Sequence, residues 1–226
     1  MILEYNKNIV YIYIIMGRLR RTQHLKVYEY HNEPKFYVCS YGGCGSTMLC
    51  KYLSNFGKVK HIHSRHPPQK LTRVGGNVYF EWFNTIEIPE HELSNYKVIF
   101  LYRNPVKAIL SRFYNTKHLR HIQCEENITI SDVISSKKDL YGVEEFFDNF
   151  TINNQKNYKT YCVKYEDFWD NILLFNETLG IPDNKELYPV KLETEKDDSY
   201  ETTVLYEIYK PLIQKMETMP FIYISE

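Results

Sequence analysis

No stretch constrains this chain as tightly as FYVCSYGGCGSTMLCKYL, Phe36 to Leu53. It begins within KFYVCSY, Lys35 to Tyr41, an apolar run of strand length. The run gives way to Gly42, Gly43 and Gly45, and then to a helical pattern with Met48, Leu49, Tyr52, Leu53 and Phe56 apolar and Gly57 as the stop. A buried strand that turns through glycines directly into a helix belongs to an α/β fold. Glycines permit positive φ, so consecutive backbone N–H groups can turn toward one anion, and the helix dipole adds to them. Ser46 and Thr47 contribute hydroxyls. The turn therefore reads as a phosphate-binding loop. A nucleotide-hydrolysing loop has the form GxxxxGK[ST], with a lysine that reaches the β- and γ-phosphates. Here Gly45 is followed by Ser46, which disfavours ATP or GTP hydrolysis and points to a different phosphate ester.

The alternation continues along the chain. KVKHIHS reads as a second strand, ended by RHPP; YKVIFLYRNP is the strongest strand, and YKTYCVKYED is another. Helices are expected at PVKAILSRFYNTKHL, with Asn104 as N-cap and Pro105 at the first position, at GVEEFFDNF, at FWDNILLFNETLG, and at ETTVLYEIYKPLIQKME, broken or kinked near Pro211. NVYFEWFN remains open between a strand and a lid-like loop. The expectation is a mainly parallel sheet covered by helices on both faces.

Composition limits the function. Lys+Arg and Asp+Glu are both 28, so the net charge is zero, and neither nucleic acid nor a membrane surface is an expected partner. Any anion site has to be local. Five cysteines without a CxxC pair argue against a disulfide scaffold or zinc site and for a reducing compartment. Cys44 reads as a small residue that fits a tight loop rather than as a reactive thiol. The run from Ile9 to Met16 is far shorter than the about 20 residues of a membrane helix. A soluble, cytoplasmic or otherwise intracellular protein is expected, with residues 1–34 as an N-terminal extension and 35–226 as one domain; Met16 is an alternative start. The 21 tyrosines and the single alanine, Ala108, reflect an A/T-rich gene, as in a large DNA virus or a protist. The sequons at Asn127, Asn149 and Asn176 carry little weight in a chain so rich in asparagine.

A second anion handle follows the strongest strand. Arg103 stands at its C-terminal end, where ligands gather in open α/β sheets, and Ser111 lies eight residues later, two turns along the helix. An arginine fork with a hydroxyl suits a terminal phosphate. Together, SYGGCGSTML and FLYRNPVKAILSRFY resemble the two donor-binding motifs of the sulfotransferase family, PKSGTTWL and YxxRNPxDxxxSxY, and VKYEDF resembles its YEDL segment. The resemblance spans about Phe36 to Phe168. It implies a P-loop NTPase-like fold and 3′-phosphoadenosine-5′-phosphosulfate (PAPS) as donor, with adenosine 3′,5′-bisphosphate as product, a hydroxyl of a carbohydrate or small molecule as acceptor, and no metal. It implies that Gly45, Ser46 and Thr47 hold the 5′-phosphosulfate, that Arg103 and Ser111 hold the 3′-phosphate, and that Met48 and Tyr165 lie near the adenine; the backbone of the whole loop, with Gly42, Gly43 and Cys44, is expected to hold the donor's 5′ end.

KHIHSRHPP resembles the family's KTHLP-like segment, whose histidine takes the acceptor's proton. Two registers fit, one with His63 as base and one with His66, and the reading leans to His63 because it ends the strand. A zinc site built on these histidines lacks a fourth ligand with useful spacing. The family's loop cation corresponds to Gly43, so another cation has to reach in, Arg65 being the first candidate and Lys51 the second. The alternatives are a module that binds the nucleotide without turnover, in which Gly43→Lys would create activity, and a divergent nucleotide kinase. The basic stretch Arg112 to His121 is either a solvated face or a contact for an anionic acceptor.

Overall fold

Runs rich in β-branched and aromatic residues, each followed by a helical pattern, assemble as the alternation requires. The computed structural model describes residues 4–5, 8–9, 34–74, 85–152, 156–191 and 199–225. Most of the Ile9–Met16 run, the alternative start Met16 and the aromatic stretch 75–84 lie outside them. The chain divides into two units, Met1–His31 and Asn32–Glu226. In the first, β1 (Glu4–Tyr5) pairs antiparallel with β2 (Asn8–Ile9).

The second unit holds β3 (Pro34–Cys39), α1 (Ser46–Leu53), β4 (Lys58–Ile62), β5 (Thr72–Val74), β6 (Thr85–Glu87), β7 (Lys97–Tyr102), α2 (Pro105–Arg112), α3 (Ile130–Ser136), α4 (Val143–Thr151), β8 (Thr160–Lys164), α5 (Ile172–Leu179), α6 (Tyr200–Thr218) and β9 (Ile222–Ser225). Five strands form one sheet in the order β4-β3-β7-β8-β9, parallel except for the antiparallel β9 at one edge. β5 and β6 pair separately. The fold is α/β, a mostly parallel sheet flanked by helices. Successive strand side chains point to opposite faces. Val98 to Tyr102 are all buried, so both faces of the central strand are covered. α4 supplies part of that cover: Val143, Phe146, Phe147 and Phe150 are buried, and Phe150 stacks on Phe100 at 4.5 Å between centroids.

Several elements depart from expectation. The sequence pattern missed α3 and the edge strand β9. α5 starts at Ile172, after a turn over the FWD residues. α6 runs through Pro211 without a break, so the expected interruption is absent. The strand order places a switch point between β4 and β7. β3 leads through α1 to β4 on one side, whereas β7 flanks β3 on the other. The C-terminal end of β3 therefore stands at the switch point, where open α/β sheets form their ligand-binding crevice.

Candidate functional site

Register decides what meets in that crevice. Cys39 lies beside Ile62 on one side and Phe100 on the other, and Tyr102 lies beside Lys164. The residues that follow these strands are the Gly42–Thr47 loop, His63, Arg103 and Tyr165, and they emerge at one edge of the sheet.

The loop is held open by its glycines. Gly42, Gly43 and Gly45 have φ of 91°, 66° and 81°. Gly45 is the N-cap of α1 and no side chain caps it. The side chains of Ser46 and Thr47 have no hydrogen-bond partner among the described residues. The N-terminus of α1 is thus left without a side-chain cap and has two unpaired hydroxyls beside it, features that suit an anion, while the Gly42 N–H donates to the Ser40 hydroxyl at 3.4 Å. Cys44 serves the turn itself. Its thiol donates to the Gly42 carbonyl at 3.1 Å, and burial pushes its pKa well up, so it is no reactive nucleophile. The five cysteines are free thiols. Asn176, one of the sequon residues, is buried and accepts from the Tyr52 hydroxyl at 2.7 Å.

One flank of the loop is built by the RNP and YED segments. Asn104 caps α2, its side chain accepting from the N–H groups of Val106 and Lys107 at 3.1 and 3.2 Å, with Pro105 in the first position. The Asn104 N–H donates to Glu166 Oε1 at 2.9 Å, which ties the ends of β7 and β8 together. The Arg103 N–H donates to the Tyr41 hydroxyl at 2.9 Å, and that hydroxyl donates back to the Arg103 carbonyl. The Arg103 side chain donates to the Gly43 carbonyl at 3.0 Å and lies 4.8 Å from the centre of the Tyr165 ring. Tyr165 in turn covers Gly45, where a Cβ would come within 2.3 Å of the ring. Arg103 is only 6% exposed, yet its Nε is buried without a partner among the described residues. Such an orphan donor calls for an acceptor from outside the chain. Ser111 is exposed on α2, one turn beyond Ala108, whose backbone abuts Gly43. Met48 is half-buried against the core.

The other flank is basic. The rings of His61 and His63 lie 4.2 Å apart, His63 stacks on His121 at 4.4 Å, and His121 lies 5.7 Å from His118. His121 and His118 come from the 3₁₀ segment Thr116–Ile122. Burial and positive neighbours hold all four imidazoles below their usual pKa. For His61 these are burial, His121 and Arg112; for His63, burial, His61 and Arg112. For His121 burial is followed by His63, Arg112, Arg120 and His118, and for His118 by Arg112 and Arg120. No carboxylate acts on any of them. His63 can therefore be neutral and able to accept a proton near neutral pH. His66 is exposed and has no ring contact with the other histidines. Among the described residues no group of three or more His, Cys, Asp or Glu is arranged to hold a metal.

Arg65 is committed elsewhere. Its guanidinium donates to the carbonyls of Ile122, Gly142 and Tyr141 at 3.0, 2.8 and 2.8 Å and pairs with Glu145 at 3.1 Å. Those bonds brace the entry to α4 and leave little of the fork for a ligand. Lys51 is exposed in the last turn of α1, away from its N-terminus. Nor can Gly43 carry a cation. A Cβ there would lie 2.3 Å from the Ala108 carbonyl oxygen, so the Gly43→Lys substitution suggested by the motif has no room. The sequence reading missed the joining of His118 and His121 to His63; the basic run Arg112 to His121 was its only signal.

No curated protein and no solved structure matches this chain. A family model, the sulfotransferase domain, matches residues 85–184, the part that contains Arg103, Ser111 and Tyr165 but neither the loop nor His63. That match, the α/β sheet and the tied RNP and YED segments together support the resemblance to the sulfotransferase family over this part of the chain.

Proposed function

We propose that the protein moves a sulfuryl group from PAPS to a hydroxyl of a carbohydrate or small molecule, in a reducing intracellular compartment, through the single domain formed by residues 35–226. The observation that carries this reading is the buried, partnerless Nε of Arg103 beside a loop of uncapped amides at the sheet's switch point. Two anion handles on either side of Tyr165 fit a nucleoside with a phosphate at each end. The amides of Gly42 to Thr47 take the 5′ end, and Arg103 with Ser111 takes the 3′-phosphate. Tyr165 and Met48 border the adenine. The donor supplies an activated sulfuryl group on its 5′-phosphate. His63 receives the proton of the acceptor hydroxyl, and its lowered pKa keeps it free to do so. These roles need no metal.

Calorimetric titration with adenosine 3′,5′-bisphosphate and with ATP, followed by transfer of radiolabelled sulfate to a panel of hydroxyl acceptors, tests the reading. Binding that prefers the bisphosphate, together with labelled product, is expected. A preference for ATP, or no binding, overturns it. A nucleotide-binding module without turnover is the second reading, favoured by the packing that keeps a cation from Gly43. Tight bisphosphate binding with silence across the panel selects it.

A further inference from the structure

The loop lacks its own cation, and the geometry points to Arg112 as the replacement: we propose that its guanidinium contacts the 5′-phosphosulfate from the histidine flank. The inference rests on PAPS being the donor.

Three observations converge on this residue. Its stem packs on the loop, since a Cβ on Gly42 would lie 3.5 Å from Arg112 Cγ. It makes no hydrogen bond or ion pair with any described residue, unlike Arg65. It also acts on His61, His63, His118 and His121, so its charge stands beside the imidazole proposed as base. Among the described residues, the groups that act on these imidazoles are Arg112, Arg120 and the histidines themselves, all basic or neutral. His61 Nε2 is buried there without a partner among the described residues. An arginine set among bases and unmatched by a carboxylate among the described residues is free to meet an anion there. Because α2 carries both Ala108 against Gly43 and Arg112 against Gly42, the helix that closes off the loop position also delivers the cation one turn later.

The chemistry balances. The oxygen of the acceptor hydroxyl forms a new bond to sulfur and its proton passes to His63. The bond from sulfur to the 5′-phosphate oxygen breaks, and its electron pair stays on that oxygen. Arg112 meets the negative charge growing there, as a loop lysine would. The products are a sulfate ester and adenosine 3′,5′-bisphosphate.

The test compares two ligands that differ only in the group Arg112 is proposed to touch. Arg112→Gln keeps the stem over Gly42 and removes the charge; Arg112→Lys keeps a charge. Binding of adenosine 3′,5′-bisphosphate and of adenosine 3′-monophosphate is measured by calorimetry for each, with thermal unfolding alongside. Arg112→Gln is expected to weaken the bisphosphate about tenfold and leave the monophosphate unchanged, with Arg112→Lys recovering part of the loss. Sulfuryl transfer by Arg112→Gln is expected to fall about a hundredfold. Unchanged bisphosphate affinity, equal loss of both nucleotides, or a change confined to the acceptor's KM would overturn the assignment. If the unaltered protein binds neither nucleotide, it is the donor reading that fails.

Discussion

The two flanks of the loop hold their positive charge in opposite ways. Arg103 is buried, stacked on Tyr165 and tied to the Gly43 carbonyl, and its backbone is locked to Tyr41. Arg112 packs its stem on the loop and has no hydrogen-bond or ion-pair partner among the described residues. The first arrangement suits a group that binds the donor in one pose throughout a turnover. The second suits a group that answers charge as it develops. The difference follows from position: Arg103 ends an interior strand, whereas Arg112 ends a helix at the edge of the crevice.

The largest effect should come from removing the fixed cation. Arg103→Ala is expected to lower affinity for adenosine 3′,5′-bisphosphate by about a hundredfold or more, as loss of a buried charged contact does. Arg103→Lys should restore little, because an ammonium cannot serve Gly43 and a phosphate as a planar fork does. Calorimetry on folded variants checks this. An affinity within threefold of the starting protein would put the 3′-phosphate elsewhere and dissolve the contrast between the flanks.

Next comes the proposed base. His63→Gln should lower kcat about a hundredfold while nucleotide binding stays near its starting value. His66→Gln should change kcat little, since His66 stands apart from the stacked rings. Steady-state transfer assays with both variants decide between the two registers of KHIHSRHPP. A larger loss at His66 would reverse the assignment.

How far the sequence could be read differs between the flanks for the same reason. Strand, glycine turn and helix are local, so the loop and the parallel alternation were legible from Lys35 to Leu53. Asn104 and Pro105 announce α2 by capping chemistry that acts over three residues. Tyr165 over Gly45 was reachable only through the family's YED motif, because the two residues meet through the β3–β7–β8 register. The histidine flank had no such guide. His63 and His121 are far apart in sequence, and they stack because β4 and the segment after α2 end on one side of the sheet. Arg65 misled for a related reason. Its place beside the histidines in sequence suggested a ligand contact, yet its partners are carbonyls more than fifty residues away. Gly43 looked like a lost lysine, but packing against Ala108 shows that the loop and α2 are fitted to a glycine.

That fit makes a sharper test of the loop. Gly43→Ala should destabilise the fold by about 2 kcal/mol or more, because a methyl group would clash with the Ala108 backbone and the positive φ disfavours any side chain. Gly180 is the control. It has a similar φ of 68°, but a Cβ there meets nothing within 4 Å, so Gly180→Ala should cost only about 1 kcal/mol. Urea unfolding of both measures the difference. Equal losses would mean that α2 yields, and then Gly43→Lys would again be a fair route to a loop cation.

The smallest effect tells the flanks apart by pH. His61, His63, His118 and His121 have pKa values lowered in the folded protein. Below about pH 6.5 the unfolded chain therefore binds more protons than the folded one, and stability falls with acid until the folded histidines protonate in their turn. Above that pH the contribution is level. Arg112→Gln removes a charge that pushes all four values down, so its stability should fall less steeply between about pH 6.5 and pH 5. Arg103→Ala, on the other flank, should keep the starting slope, since Arg103 is not among the groups acting on these rings. Urea unfolding across that window, at low and moderate salt, separates the two. The same slope in all three proteins would mean that Arg112 does not face the histidines in solution, and a shallower slope in Arg103→Ala would mean that the two flanks share one field.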